Sequence, residues 1–402
     1  MKIKLTAGSA MLPGYTRAAA EILYGFGRRE LLWFDASPSR ENSLDHSGNG
    51  WLMALLPLAF ERGEALEIFA PVDPLLLQNA EKIQQVWAGW FPPHKPVSIK
   101  APVATASSGK EGKTGLFFTG GVDSFFSLLR FDETARADPA SGNRPVDDLI
   151  FVWGFDIPLK NRAAFERKKT MLAEVAGIFG KNAVTVLTNL RQTRLRHLDW
   201  GLRLHGAALG AVGLTLGKQY RTILISASGG YNNSDPWGSH PLADPLMSSS
   251  QTRFVYYGGG FDRFNKAKWI ARSDIALKHL HVCWKEGTDT NCGRCEKCCR
   301  MLLSLDLLGV LEKAASFPRD HYSLEHLKTL RFANPVARQL LAELCGPAAE
   351  RGRQDVVQAI EACLAATASN VLPGLVDGEA TACGGRRAGF ETGRVDRARV
   401  NW

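Results

Sequence analysis

Phe117-Phe118-Thr119-Gly120-Gly121-Val122-Asp123-Ser124-Phe125 is the stretch on which the reading of this chain turns. An apolar run over residues 115–118 leads into the two glycines, and a helical pattern over residues 123–131 follows them. Strand, double-glycine bend, helix is the context in which such letters carry chemistry. Adjacent glycines remove the side chains that would hold an anion away from the backbone, and they admit φ > 0. The hydroxyls of Thr119 and Ser124, the amides from Gly120 to Val122 and the positive end of the helix then converge on phosphate oxygens. Asp123 is placed to share a Mg²⁺ with the same oxygens. Without that chemistry, the same letters make a tight strand–helix turn with an Asp or Ser cap.

Downstream, strands alternate with helices. Residues 149–153, 183–187 and 222–226 read as strands, and residues 163–179 and 202–217 as helices. This rhythm predicts an α/β domain over residues 113–301, a doubly wound, mostly parallel sheet with helices on both faces. Ligands of such sheets sit at the carboxyl ends of the strands. Upstream, residues 1–112 read as a smaller α/β module, with strands at 30–34 and 66–70 and helices at 50–60 and 73–90. A Ser-, Gly- and Lys-rich linker over residues 104–113 closes it. Its Trp33, Trp51, Trp87 and Trp90 are either core aromatics or a docking surface. Residues 302–370 read as a helical extension. Residues 371–402, rich in Gly and Arg and without periodicity, read as a disordered tail.

Five of the eight cysteines crowd between Cys283 and Cys299, and Cys345, Cys363 and Cys383 are scattered. A secreted disulfide framework would spread them out, so the cluster points to metal. Cys283, Cys292, Cys295 and Cys298 follow the spacing C-x8-C-x2-C-x2-C, enough to close a tetrahedral Zn²⁺ site with no open position. An iron–sulfur cluster is the other metal reading. The 402 residues, 45% hydrophobic and 22% charged, have the composition of a soluble globular protein of two domains. The longest apolar stretch, residues 204–216, carries His205 and several glycines and is too short for a membrane span. No basic segment followed by an apolar run opens the chain, and the expectation is a cytoplasmic protein. Net charge is +9, and residues 161–225 hold eleven Lys and Arg against three Asp and Glu. Such a face suits ATP, a phosphate-bearing substrate or RNA; the alternative for residues 166–169 is a solvated helix face.

Thr119-Gly120-Gly121-Val122-Asp123-Ser124 resembles the SGGxDS signature of the PP-loop ATP pyrophosphatases, with Thr in place of the first Ser. The resemblance implies a HUP-like, Rossmann-like fold and cleavage of ATP between its α and β phosphates. AMP passes to a substrate oxygen, pyrophosphate leaves, and a nucleophile displaces AMP. With the cysteine pattern added, the chain is similar to the 7-cyano-7-deazaguanine synthase (QueC-type) branch, which makes a nitrile from a carboxylic acid, ammonia and ATP and carries zinc. Phe264-Asn265-Lys266-Ala267 resembles that branch's D-K-A element, which implies that Lys266 contacts phosphate. Residues 222–229, including Ser226, fit its nucleotide-facing strand and loop, and Phe151-Val152-Trp153-Gly154 would flank adenine.

The resemblance covers residues 115–301 and departs from the family twice. Residues 198–205 replace a Pro-Gly-Arg-Asn element, with Arg203 as its substitute. Residues 232–246 replace a Tyr-Pro-Asp-Cys-Arg stretch with a longer loop. In that loop, His240 and Asp244 either form a polar pair that orients substrate and takes a proton, or cap turns set by Pro241 and Pro245.

The expectation is an AMP- and pyrophosphate-forming ligase or amidating enzyme using ATP, Mg²⁺ and Zn²⁺. Its acceptor would be a small molecule or the terminus of a peptide or protein, and its nucleophile ammonia or an amine. No membrane is involved, and the N-terminal module would serve a homodimer or a partner protein. A tRNA-modifying enzyme and a non-enzymatic, ATP-sensing, zinc-bearing scaffold are the two alternatives.

Overall fold

A computed structural model of the chain describes residues 1–38, 44–105, 112–232, 234–283, 289–318, 320, 322–332 and 334–368. Its strands are β1 (Lys2–Thr6), β2 (Thr16–Leu23), β3 (Arg29–Ser37), β4 (Leu66–Ile68) and β5 (Ile99–Lys100), then β6 (Lys113–Phe117), β7 (Asp148–Trp153), β8 (Asn182–Thr188), β9 (Tyr220–Ser226) and β10 (Arg253–Tyr257). All ten join one mostly parallel sheet in the order β10-β9-β6-β7-β8-β3-β2-β1-β4-β5. From β8 to β10 across the sheet, every neighbouring pair is parallel. The chain leaves β6 toward β7 and β8, then crosses back to β9 and β10 on the other side. That reversal places the topological switch point at the carboxyl ends of β6 and β9, the position where open α/β sheets bind ligands. Every residue of β7 is buried, as expected of a parallel strand covered on both faces.

The helices of this region are α1 (Asn49–Arg62), α2 (Pro74–Trp90), α3 (Val122–Ala137), α4 (Arg162–Phe179), α5 (His205–Thr215), α6 (Arg263–Ile270), α7 (Asp274–His279) and α8 (Glu296–Leu307). α5 shares the core on one face of the sheet, and α3 and α4 contribute nothing to that core, as the usual right-handed crossovers of such sheets would have it. There α5 packs against α1, and the two share a core with one face of the strands. Asp73 caps α2 by accepting from the amides of Leu75 and Leu76, with Pro74 in the first helical position.

The module expected over residues 1–112 does not stand apart. Its strand β3 pairs antiparallel with β8, Phe34 opposite Thr188, and the Thr188 hydroxyl donates to the Trp33 carbonyl at 2.8 Å. The compact unit therefore runs Met1–His321, and a second runs Tyr322–Trp402. The physical reason is the open edge that β8 would otherwise present; β3 covers it, and a composition break in the sequence carries no information about such pairing. Trp33, Trp51 and Trp87 are buried, as core aromatics.

In the second unit, α9 (Leu324–Thr329), α10 (Pro335–Ala342) and α11 (Cys345–Ala349) pack on α12 (Gln354–Ala368). The expected disordered tail at 371–402 lies outside the described residues. No helix among the described residues is long and apolar enough to cross a membrane.

Candidate functional site

The double-glycine bend joins β6 to α3 at this switch point. Gly120 has φ +77°, in the left-handed region, and a Cβ there would lie 3.1 Å from Met171 Cε and 3.4 Å from the His279 carbonyl. Gly121 caps the helix in extended conformation, with its amide 3.3 Å from Thr119 Oγ1. The Ser124 hydroxyl donates to the Gly121 carbonyl at 3.0 Å. The amides of Val122, Asp123 and Ser124 open α3, where N–H groups have no intrahelical acceptor.

Two cations from α6 reach this bend. Lys266, whose side chain is 3% exposed, donates to Asp123 Oδ1 at 2.8 Å and to the Ala227 carbonyl at 2.6 Å. Arg263 Nη1 donates to Asp123 Oδ2 at 2.7 Å. Burial pushes the Asp123 carboxyl upward, but Arg263 and Lys266 outweigh it and hold the group below the ordinary carboxylate range. Burial likewise draws the Lys266 ammonium down, and Asp123 restores only part of the loss. Ser226 ends β9 with its Oγ buried and without a hydrogen-bond partner among the described residues. Arg263 escaped the sequence reading. Its signal was its position, one helical turn before Lys266 on the same face.

Other expected residues are placed elsewhere. Trp153 is fully buried, stacked on Phe165 at 4.1 Å between centroids, and its indole N–H donates to the Pro158 carbonyl at 3.0 Å. With no exposed face it is a core residue, not an adenine contact. Gly154 donates its amide to the Ile157 carbonyl at 3.0 Å and closes the turn after β7.

His240 and Asp244 do not pair through their side chains. Asp244 accepts the His240 amide at 3.0 Å and the Ser239 hydroxyl at 2.6 Å, while His240 Nδ1 accepts the Leu242 amide at 3.1 Å. The His240 ring lies edge-on to Trp90 with centroids 4.7 Å apart. This is the turn-capping arrangement, and burial raises the Asp244 carboxyl to about 7. Arg203 pairs with Glu61 of α1 and stacks on Phe91.

The cysteine spacing forms the cluster it implies. The sulfurs of Cys283, Cys292, Cys295 and Cys298 all lie within 4.8 Å of one another, with Cys283–Cys295 at 4.0 Å and Cys292–Cys298 at 3.9 Å. Tetrahedral thiolates around one ion at a zinc–sulfur distance would be about 3.8 Å apart, so the set can hold a metal ion. Gly293, at φ +71°, turns the chain between the second and third ligands. Cys299 is outside the set, its sulfur 3.8 Å from the Gly293 carbonyl.

Asn291 fastens this knot. Its Oδ1 accepts the amides of Val282 and Cys283, and its Nδ2 donates to the carbonyls of Leu280 and Ser316. The strap so held, residues 279–283, reaches the glycine bend: the His281 amide donates to the Gly120 carbonyl at 2.8 Å. Comparison of the chain with family models, with curated proteins and with solved structures finds no match.

Proposed function

We propose that this chain is an ATP-dependent, AMP- and pyrophosphate-forming enzyme of the PP-loop group that adenylates a carboxyl group for attack by ammonia or an amine. The observation that carries the proposal is the convergence of Asp123, Arg263 and Lys266 on a double-glycine helix entry at the switch point between β6 and β9. A carboxylate held between two cations can trade its partners. Arg263 and Lys266 would pass to the incoming phosphate oxygens, and Asp123 would be the residue left to hold an accompanying Mg²⁺, which would neutralise phosphate charge. The opening amides of α3 and the Thr119 hydroxyl supply donors, and the buried Ser226 Oγ, lacking a partner, gains one.

In the reaction, an acceptor carboxylate oxygen attacks the α-phosphorus, and the bond to the α–β bridging oxygen breaks. Pyrophosphate leaves with the electron pair. The amine then adds at the acyl carbon, loses a proton, and AMP departs. We assign zinc to the four thiolates. The closed donor set leaves no position for substrate, so the ion is structural.

The basic segment at 161–225 gives less support to RNA. Arg167 pairs with Asp289, Lys181 with Asp132 and Arg203 with Glu61, while Arg191 stacks on Trp200 and Arg194 on Tyr24. These cations are engaged within the chain.

The test is pyrophosphate release from ATP with Mg²⁺, ammonia and a panel of small carboxylic acids, followed by mass spectrometry of the products. Asp123→Ala is expected to lower release by roughly a hundredfold or more. Release unchanged in that variant, or absent with every acid in the wild type, overturns the proposal.

A further inference from the structure

A cavity of about 280 Å³ lies between α4 and the strap that leads into the cysteine knot. It adjoins the glycine bend, because Met171 lines it and also sets the 3.1 Å limit at Gly120. Among the described residues, its charged lining leaves one cation over. Asp289 is held by Arg167 through two hydrogen bonds, and Glu174 by Lys278; His279 Nε2 lies 3.0 Å from Glu174 without the geometry of a hydrogen bond. Lys168 remains. It is 6% exposed and has no hydrogen bond or ion pair among the described residues. Within the stretch expected as a solvated helix face, this residue turns inward.

Burying an ammonium without a partner is costly, and packing alone would be better served by an apolar side chain. Burial draws the Lys168 ammonium down to about 8, with Asp289 and Asp156 only partly opposing it. A polar atom of the same lining, His281 Nε2, is buried and has no hydrogen-bond partner among the described residues, although the ring itself is held by the Thr290 backbone.

We propose that this cavity is a binding subsite for a small carboxylic acid, with the carboxylate seated on Lys168. One unmatched cation suits a monoanion; a phosphate dianion would bring surplus charge into a largely buried place. The proposal builds on the adenylating reading, in which the acid held beside the glycine bend is the acceptor.

Ligand-observed NMR on the full chain tests it, with benzoate, benzamide and inorganic phosphate as probes. Benzoate is expected to bind in the millimolar range, at least roughly tenfold more tightly than neutral benzamide or phosphate. Lys168→Met is expected to weaken benzoate by roughly tenfold or more, and Lys169→Met, exposed and outside the cavity lining, to leave it unchanged. Failure of benzoate to bind, equal binding of benzamide, or tighter binding of phosphate overturns the proposal. So does benzoate binding that is indifferent to Lys168→Met in a folded variant. If that variant does not fold, the benzoate–benzamide comparison on the wild type decides alone.

Binding of a non-hydrolysable ATP analogue, measured on the same samples, separates the two readings. Benzoate bound without nucleotide keeps the subsite and removes the nucleotide reading. Nucleotide bound without benzoate does the reverse.

Discussion

Asp123 is held by two cations of unequal exposure, and the buried one matters more for stability. Lys266→Met leaves the Ala227 carbonyl without its donor and Asp123 with Arg263 alone. A loss of roughly 1–3 kcal/mol is expected, measured by urea unfolding. Combined with Asp123→Asn, it should cost less than the sum of the single changes, because the two side chains share one interaction.

Asp244 gives a pH signature. Its carboxyl titrates near 7 in the folded state against an ordinary 3.8, because burial disfavours its charge. The stability this group contributes is fully present below its ordinary value and is lost as pH rises through about 7. Asp244→Asn should flatten that part of the stability–pH curve, read from urea midpoints across the window.

At this scale the sequence was legible wherever chemistry is local. The bend from Thr119 to Ser124 and the four cysteines from Cys283 to Cys298 are each written within one short segment, and the structure forms both. Trp153 misled because an aromatic at a strand end looks alike whether it faces a ligand or Phe165. Lys168 was hidden because a run of charged residues does not reveal which one turns inward.

The strap over residues 279–283 is the element on which the site depends. Asn291 satisfies two of its amides, Val282 and Cys283, and one of its carbonyls, Leu280. Stripping metal with a chelator, or replacing Cys295 with Ser, should lower the melting temperature. It should also speed amide exchange at His281, whose N–H is committed to Gly120. Elemental analysis should find about one zinc per chain in the wild type and much less in the variant.

Elements were legible in proportion to their periodicity. α2 was marked by Asp73-Pro74 at its start, and β7 by an unbroken apolar run. β2 was missed because Thr16–Leu23 holds three consecutive alanines, strong helix formers. Pairing with β1 on one side and β3 on the other overrides that preference. β10 was missed although Phe254, Val255, Tyr256 and Tyr257 all favour strands, because its role appears only once β9 lies beside it.

For the whole molecule, the decisive fact is that β3 seals β8. A fragment spanning residues 113–321 would expose that edge and strip α1 from α5, uncovering apolar surface on one face of the sheet. It should be insoluble or molten, whereas unit Met1–His321 should unfold in a single cooperative transition, measured by calorimetry. The apparent boundary near residue 112 is a property of composition alone. What joins the two halves is contact between residues about 150 positions apart, such as Thr188 and Trp33, and no local window sees it.

The bond from the His281 amide to the Gly120 carbonyl has one more implication. If an ion at the sulfurs steadies the bend through that link, thermodynamics makes the traffic two-way: whatever factor the ion adds to nucleotide affinity, nucleotide must add to the ion's. Measuring zinc affinity with and without an ATP analogue, and the analogue's affinity with and without zinc, should return one and the same ratio. A ratio of one would show two neighbours that share a wall without exchanging energy.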